Sequence, residues 1–354
     1  MSNSYIVPRY LSKGVVLFQP GLHCTEESFA DMWDKFRNII DDEKISLCDT
    51  IVTSSNITTI TVRNALVKES NKEGISFIRT LFLDGHGHVN DQVEELHTII
   101  TLLKGWFGNV PIILVGHSKG GLVNMKYSLK YRGEISKLIS IGTPYENETI
   151  QQLHAIIRSW KPILKTTLNS RFSQADIQDF ENLLHEVYDD EDLGNTSFFN
   201  QLKNDWNSLS ASEKPEIVCI ACSQVGFSSN PELGSDLVVS VPTQKALNYN
   251  DITKRIQVTK NYEYFRQEWY DSIYQSTLPG KIESLVDISN AIISASKTHD
   301  LLYLLLGFFL TMVPYTWDNK DYDLIHTQEL RNPTVCNHVI EEIVLTMFPI
   351  NNYS

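Results

Sequence analysis

The sequence predicts an α/β fold in which helices cover both faces of a mostly parallel sheet. Apolar runs typical of buried strands alternate with helical patterns at short range between residues 14 and 144. These runs end close to a glycine or a proline, residues that favour a turn. The chain has 354 residues and is 42% hydrophobic, enough for one large α/β domain with insertions, or for two domains. Short-range alternation of this kind is typical of parallel βαβ units.

The first predicted strand covers residues 14–19 and stops at Pro20 and Gly21. Thr25 is a good N-cap, and the apolar residues after it have helical spacing, so a helix should follow. Residues 50–65 are rich in Thr, Val and Ile, which favours strand, with a turn at 54–56.

The next predicted strand, residues 77–83, runs into a helix that ends near Gly105. Strands are also expected at 112–115, 137–141, 216–223 and 255–258. The remaining segments should be helical: two or three helices in 149–208, most of 261–315, and a helix at the end of the chain.

The stretch Gly116–Gly121 (GHSKGG) lies between the apolar run 112–115 and a helical pattern. Its G-x-S-x-G spacing on a strand-to-helix turn is that of a nucleophile elbow. Such a turn strains the serine backbone and aims a helix N-terminus, which stabilises negative charge, at the serine. Ser118 is therefore the candidate nucleophile, with an ordinary glycine-rich turn as the alternative.

A serine nucleophile needs a histidine base and a carboxylate that orients it, and after this type of elbow the acid precedes the histidine. Asp236 lies in a Gly-Ser-Asp loop at the expected sheet edge, although a solvated turn aspartate has the same pattern. Three of the ten histidines follow it. His326 is the preferred base and His299 the alternative, whereas His338 should lie on a helix surface.

An oxyanion hole needs two backbone N–H donors, which we assign to Leu22 and Lys119. The Lys119 side chain is expected to point to solvent. The acidic tract Asp189–Asp192 is expected to be a solvated loop.

Charge and cysteine usage restrict the partners. A formal net charge of −13 argues against nucleic acid and anionic lipid, which both select basic surfaces. Cys219 and Cys222 form a C-x-x-C inside a strand pattern, so buried thiols are favoured over a redox or metal role. His86 and His88 fit a loop better than a metal site. No cofactor and no metal are expected.

The N-terminal residues lack the pattern of a secretory signal, so a cytoplasmic location is expected, with export by a dedicated secretion system left open. The apolar stretch Leu301–Tyr315 is too short for a transmembrane span. Oligomeric state is left open.

Taken together, five ordered segments resemble the α/β-hydrolase superfamily, and within it lipase-like and PGAP1-like serine esterases. The matching segments are Pro20–Leu22, Gly116–Gly121, Ile141–Pro144, Ser235–Val239, and His326–Leu330 with Pro333–Val335. The resemblance implies an α/β-hydrolase fold, a triad of Ser118, Asp236 and His326, and an oxyanion hole from the Leu22 and Lys119 amides.

The resemblance covers the chain unevenly, which predicts a divided core. We expect residues 1–145, 215–258 and 320–354 to form the hydrolase core, 146–214 a helical cap, and 259–319 a second helical insertion that could serve as a lid. Leu301–Leu310 would suit an acyl-binding wall, with core packing and membrane contact as alternatives.

The expected function is that of a serine hydrolase that cleaves a carboxylic ester with an apolar acyl part, as an esterase or lipase does. The substrate would be a small-molecule ester or a lipid, with transient lipid contact allowed. A thioesterase, amidase or acyltransferase could use the same triad. A non-catalytic interaction module with this fold is the alternative from another class.

Overall fold

An eight-stranded sheet organises the part of the chain that the structure, a computed structural model, describes. The described residues are 12–22, 26–32, 45–53, 60–63, 74–81, 87–147, 190, 192–223, 225–227, 230–236, 239–259, 324, 326 and 328–347.

The strands form in the order of the apolar runs along the chain. They are β1 (Ser12–Gln19), β2 (Ile45–Thr53), β3 (Ile60–Arg63), β4 (Gly74–Leu81), β5 (Ile112–His117), β6 (Lys137–Ile141), β7 (Glu216–Ser223), β8 (Val225–Phe227), β9 (Asn230–Ser235) and β10 (Lys254–Thr259). The large sheet has the order β10-β7-β6-β5-β1-β4-β2-β3. Every neighbouring pair in it is parallel except β2 and β3. The predicted mostly parallel sheet is confirmed.

Five α-helices and three 3₁₀ helices have both ends within the described residues, and residues 30–32 are also helical. The α-helices are α1 (Val89–Phe107), α2 (Lys119–Lys130), α3 (Thr196–Ser208), α4 (Val241–Gln244) and α5 (Pro333–Met347). The 3₁₀ helices are Glu26–Phe29, Ala211–Glu213 and Glu329–Arg331. None of the helices in this part of the chain is long and apolar enough to cross a bilayer.

Alternate side chains of the central strands supply two separate cores, one on each face of the sheet. On one face, Val15 and Leu114 pack in a cluster with α1, α2 and α3. On the other face, Val16 and Val115 pack with α5. A strand that is covered on both faces is apolar at every position, which explains why the strands appear in the sequence as unbroken apolar runs.

Three local predictions need adjustment or addition. The strand region 50–65 is an antiparallel pair, β2 with β3, and β2 begins earlier, at Ile45. The small hairpin β8–β9 was not predicted, because Asn230–Ser235 (NPELGS) has no apolar alternation. Of the helices expected in 149–208, α3 lies in the described residues and the others fall outside them.

Cys219 and Cys222 lie three positions apart on β7, so their side chains point to opposite faces of the sheet. Cys219 belongs to the core beside α1 and Cys222 to the core beside α5. Both are buried, and neither forms a disulfide. This placement favours two independent packing residues over a shared redox or metal site.

Candidate active site

Ser118 occupies a sharp turn between the last residue of β5 and the first residue of α2. Its backbone φ is 52° and its ψ is −127°, a region that residues with a side chain rarely adopt. Its N–H donates to the carbonyl oxygen of Ile141 at 3.0 Å, which ties the turn to the end of β6. The strained conformation is therefore held by the neighbouring strand, and it places the side chain at the carboxyl edge of the sheet, where α/β folds bind ligands.

The structure brings Ser118, His326 and Asp236 into one line of hydrogen bonds. The Nε2 atom of His326 lies 2.9 Å from the Oγ of Ser118. The Nδ1 atom lies 2.7 Å from the Oδ2 of Asp236. Because Nδ1 faces carboxylate oxygens, it must carry a proton, and Nε2 of the neutral ring then accepts from the serine hydroxyl. This is the geometry by which a base activates a serine.

Asp236 is fully buried and held from two sides. Its Oδ1 atom accepts the Val239 N–H at 2.6 Å. Its backbone carbonyl accepts the His326 N–H at 3.0 Å. The acid and the base are thus joined through backbone as well as side chains. The turn that holds Asp236 follows β9, at the same edge of the sheet as Ser118.

The two residues assigned to the oxyanion hole adjoin the serine region: Lys119 follows Ser118 in the chain, and Leu22 follows Gly21, which lies against Ser118. Lys119 is the first residue of α2, so its N–H belongs to the first helical turn, where N–H groups lack a helical acceptor. The loop that holds Leu22 lies against the serine, since a Cβ on Gly21 would lie 2.6 Å from the Cβ of Ser118. A glycine is required at position 21 by this close approach.

The prediction that the Lys119 side chain points to solvent is wrong. The side chain is buried, and its Nζ donates to the Oδ2 of Asp190 at 2.5 Å and to the carbonyl oxygen of Gly87 at 2.8 Å. A buried ammonium needs a carboxylate and further acceptors, and these two groups supply them.

The prediction of a solvated acidic loop is also wrong for Asp190 and Asp192, which are both buried. Asp190 Oδ1 accepts the backbone N–H groups of Asp192 and Leu193. Asp192 accepts the N–H of Val89 at the start of α1, where negative charge is favoured. Lys119 and local N–H groups compensate Asp190, and the Val89 N–H at the start of α1 compensates Asp192, which a charge run in the sequence does not reveal.

Sequence reasoning missed a second acid beside the histidine, Glu329. Its carboxylate is fully buried, and Oε1 lies 3.1 Å from the Nδ1 of His326 and 3.9 Å from the Nε2 of His117. His117 Nε2 also lies 2.9 Å from the carbonyl oxygen of His326. The available signal was the three-residue spacing from His326, across which the two side chains meet.

The two acids and the base shift one another's pKa. Burial, together with the charge of Glu329, raises the pKa of Asp236 to about 6 although His326 opposes the shift. Burial would raise the pKa of Glu329, but the neighbouring imidazoles of His117 and His326 lower it to about 2. Burial would lower the pKa of His326, but Asp236 and Glu329 outweigh burial and raise it well above its usual value. A proton bound by this cluster therefore stabilises the excess negative charge.

One group in the described residues has the composition of a metal site. Ligand atoms of His117, His326 and Glu329 lie within 4.8 Å of one another. The His326 nitrogen that lies 3.1 Å from Glu329 is Nδ1, the same atom that bonds Asp236. His88 of the other histidine pair lies 3.7 Å from Asp192, and His86 falls outside the described residues.

Other predicted features have mixed outcomes. His338 lies on α5 with a side chain 32% exposed, beside Glu341, as expected of a surface histidine. The alternative base His299 and the apolar stretch Leu301–Leu310 lie outside the described residues.

Comparison with known proteins identifies the family. A family model described as "Alpha/beta hydrolase of unknown function (DUF915)" matches residues 11–203, more than half of the chain. No curated protein matches. Among solved structures, the product of the lin2722 gene from Listeria innocua is 17% identical over 77% of this chain and 92% of that chain, with a TM-score of 0.45. Est1E from Butyrivibrio proteoclasticus is 10% identical over 71% and 80%, with a TM-score of 0.37. The family match confirms the resemblance at the level of the superfamily: the chain belongs to the DUF915 family of α/β hydrolases.

Proposed function

We propose that this hydrolase cleaves carboxylic esters through an acyl-enzyme on Ser118. The observation that carries the proposal is the unbroken line from Asp236 through His326 to Ser118, with contacts of 2.7 Å and 2.9 Å. A serine in a strained turn, hydrogen-bonded to an oriented imidazole, is the arrangement that serine hydrolases use for nucleophilic attack.

In the first step, the Oγ of Ser118 forms a bond to the ester carbonyl carbon while its proton passes to Nε2 of His326. The carbonyl π electrons move to oxygen, and the N–H groups of Leu22 and Lys119 stabilise the oxyanion. Collapse of this intermediate releases the alcohol, which takes the proton from His326. Asp236 stabilises the imidazolium that exists between the two transfers.

In the second step, water replaces the alcohol. His326 accepts a proton from water, whose oxygen attacks the acyl carbon, and the serine leaves with that proton. The product is a carboxylic acid, and Ser118 is regenerated. The same chemistry would cleave a thioester or an amide, or transfer the acyl group to another acceptor.

We further propose that the part of 146–214 that precedes α3, together with 259–319, covers the site, whereas α3 packs in the core with α1 and α2. Contact between Asp190 and Lys119 supports this arrangement, because it fixes one point of the first segment beside the nucleophile. Such a cover would determine which acyl groups reach Ser118. Leu301–Leu310 remains the candidate for an acyl-binding wall.

A direct test combines labelling with turnover. The wild type, Ser118→Ala and Ser128→Ala would be incubated with a fluorophosphonate probe and with p-nitrophenyl esters of two to sixteen acyl carbons. Ser128 is the matched control, since it is a buried serine on the same helix that donates to the Met125 carbonyl.

We expect label and turnover in the wild type and in Ser128→Ala, and neither in Ser118→Ala. Hydrolysis by Ser118→Ala at the wild-type rate would overturn the proposal. An unlabelled, inactive wild type would instead favour a non-catalytic module. Acyl-thioester and anilide substrates run in parallel separate esterase activity from thioesterase and amidase activity.

A further inference from the structure

Two buried carboxylates face the same nitrogen of His326. Asp236 Oδ2 lies 2.7 Å from Nδ1, and Glu329 Oε1 lies 3.1 Å from it. Both carboxylates are 0% exposed, so water does not stabilise either charge. The Nδ1 proton is donated to Asp236, whereas the two carboxylate oxygens of Glu329 accept no hydrogen bond from the described residues and place a second negative charge beside the same nitrogen.

The position of Glu329 is held by three separate parts of the chain. It begins the 3₁₀ helix Glu329–Arg331, and the N–H of Asn332 donates to its backbone carbonyl at 3.1 Å. Its carboxylate lies where a side chain on Gly142 would be, since a Cβ there would overlap both carboxylate oxygens. The φ of Gly142 is +57°, which also favours glycine. His117 approaches from β5.

We propose that Glu329 is a positioning residue whose buried carboxylate, 3.1 Å from Nδ1, adds a second negative charge beside the base that Asp236 orients by its hydrogen bond. This inference rests on the proposed function, because it concerns the base of the same reaction.

The arrangement affects each proton transfer. When the proton of Ser118 reaches Nε2, the ring becomes an imidazolium while the Nδ1 proton stays on the ring. Two negative charges then face one positive charge, with the neighbouring imidazole of His117 the other titratable group in contact. Burial raises the pKa of Asp236 to about 6, whereas the neighbouring imidazoles lower the pKa of Glu329 to about 2. Glu329 would thus keep a negative charge beside Nδ1 when Asp236 is neutral.

The first test is the pH profile of kcat/KM for Glu329→Gln. Removal of one carboxylate lowers the proton affinity of His326, so the acid limb should move down by about one pH unit. We expect kcat to fall about tenfold with KM unchanged, since the loss concerns the transition state. Glu342→Gln is the matched control, a buried glutamate on α5 that bonds lysines at the other edge of the sheet, and its profile should match the wild type.

The second test removes the other acid. Asp236→Ala is preferable to Asp236→Asn, because the Val239 N–H would fix the amide oxygen of an asparagine and turn its NH₂ group toward Nδ1. With alanine, Glu329 can accept the Nδ1 proton alone. We expect kcat/KM of Asp236→Ala to fall about 100-fold, and that of the Asp236→Ala/Glu329→Gln double variant to fall about 10⁴-fold.

Three results together would overturn the inference. They are a loss of about 10⁴-fold in kcat/KM of Asp236→Ala alone, no further loss in the Asp236→Ala/Glu329→Gln double variant, and an unmoved acid limb in the pH profile of Glu329→Gln. A readout without catalysis separates this outcome from failure of the proposed function. In ¹⁵N-histidine NMR titrations of Ser118→Ala and Ser118→Ala/Glu329→Gln, the pKa of His326 should be lower in the second protein, even if no ester is ever hydrolysed.

Discussion

Buried charges lie at both edges of the sheet, but they are balanced at one edge and unbalanced at the other. At the edge where strands begin, Lys137 lies 3.0 Å from Glu342 and 3.1 Å from Glu216. Lys254 lies 2.6 Å from the other oxygen of Glu342. Two permanent cations thus meet two carboxylates, of which Lys137 and Glu342 are buried and Lys254 and Glu216 are exposed, and no proton is needed for neutrality.

At the edge where strands end, Asp236 and Glu329 face His326, which is a cation only when protonated. Beside them, the Lys119–Asp190 pair repeats the balanced pattern within one residue of Ser118. The difference separates two uses of buried charge. Permanent pairs hold elements together, whereas a carboxylate excess around an imidazole favours uptake and release of a proton.

The largest expected effect is on activity, at the unbalanced cluster. His326→Gln removes the base, so kcat/KM should fall about 10⁴-fold or more. It also leaves two buried carboxylates without a cation, so the free energy of unfolding should fall as pH rises from 5 to 8. His338→Gln on α5 is the matched control and should keep wild-type kcat/KM. Urea unfolding at several pH values and ester hydrolysis measure both effects. Unchanged hydrolysis by His326→Gln would show that the unbalanced cluster around His326 has no part in catalysis, contrary to the comparison of the two edges.

The next effect is on stability, at the balanced pair beside the serine. Lys119→Met leaves Asp190 buried without its ammonium partner, which should lower the free energy of unfolding by about 3–5 kcal/mol. The double variant Lys119→Met/Asp190→Asn should recover most of this loss, because an asparagine oxygen can still accept the N–H groups of Asp192 and Leu193. Urea denaturation of the single and double variants measures the difference. Equal stability of the two would show that the buried charge is compensated in another way.

A smaller effect is expected at the far edge. Lys137→Met should lower the free energy of unfolding by about 1–3 kcal/mol, because Glu342 keeps Lys254 and the Glu216 side chain is 59% exposed. Since this edge is remote from Ser118, kcat/KM should not change. A tenfold loss of kcat/KM would mean that the two edges are coupled, contrary to the comparison.

Sequence patterns anticipated the sheet, the elbow and the three residues of the line from Ser118 to Asp236 because these depend on local order. A buried strand shows itself as an apolar run, and the elbow requires glycines at fixed spacing. Partners that meet only through folding left weaker signals. Glu329 resembled any polar residue of a short loop, and Asp190 resembled part of a solvated charge run, yet both are buried.

Lys119 is a second residue whose side-chain partners could not be predicted from the sequence. Its place in the motif assigns a role to its backbone N–H, but says nothing of the side chain, whose acceptors come from Gly87 and Asp190. The hairpin β8–β9 was missed for a related reason. Its short strands lack the alternation that identifies a half-buried strand, although the hairpin leads the chain to Asp236.

The smallest predicted effect concerns the sign of the pH dependence of stability. Burial would raise the pKa of Glu342, but hydrogen bonds from Lys254 and Lys137 outweigh it and lower the pKa below 4.5. Its stabilising contribution is therefore present above pH 4.5 and is lost as pH falls through the lowered value. The pKa of Asp236 is instead raised from 3.8 to about 6, so its contribution is present below pH 3.8 and is lost as pH rises through 6.

Removal of the two carboxylates should consequently change the stability curve in opposite directions. Glu342→Gln should lower the free energy of unfolding at pH 6 by about 1 kcal/mol, with the deficit disappearing toward pH 3. Asp236→Asn should make the free energy of unfolding rise more steeply between pH 4 and 6 than it does in the wild type. Urea unfolding at half-unit pH intervals compares the slopes. Only an unbalanced edge takes up a proton on folding in this pH range. If both variants shift the slope of the unfolding free energy against pH in the same direction, the charge at the two edges is therefore compensated in the same way.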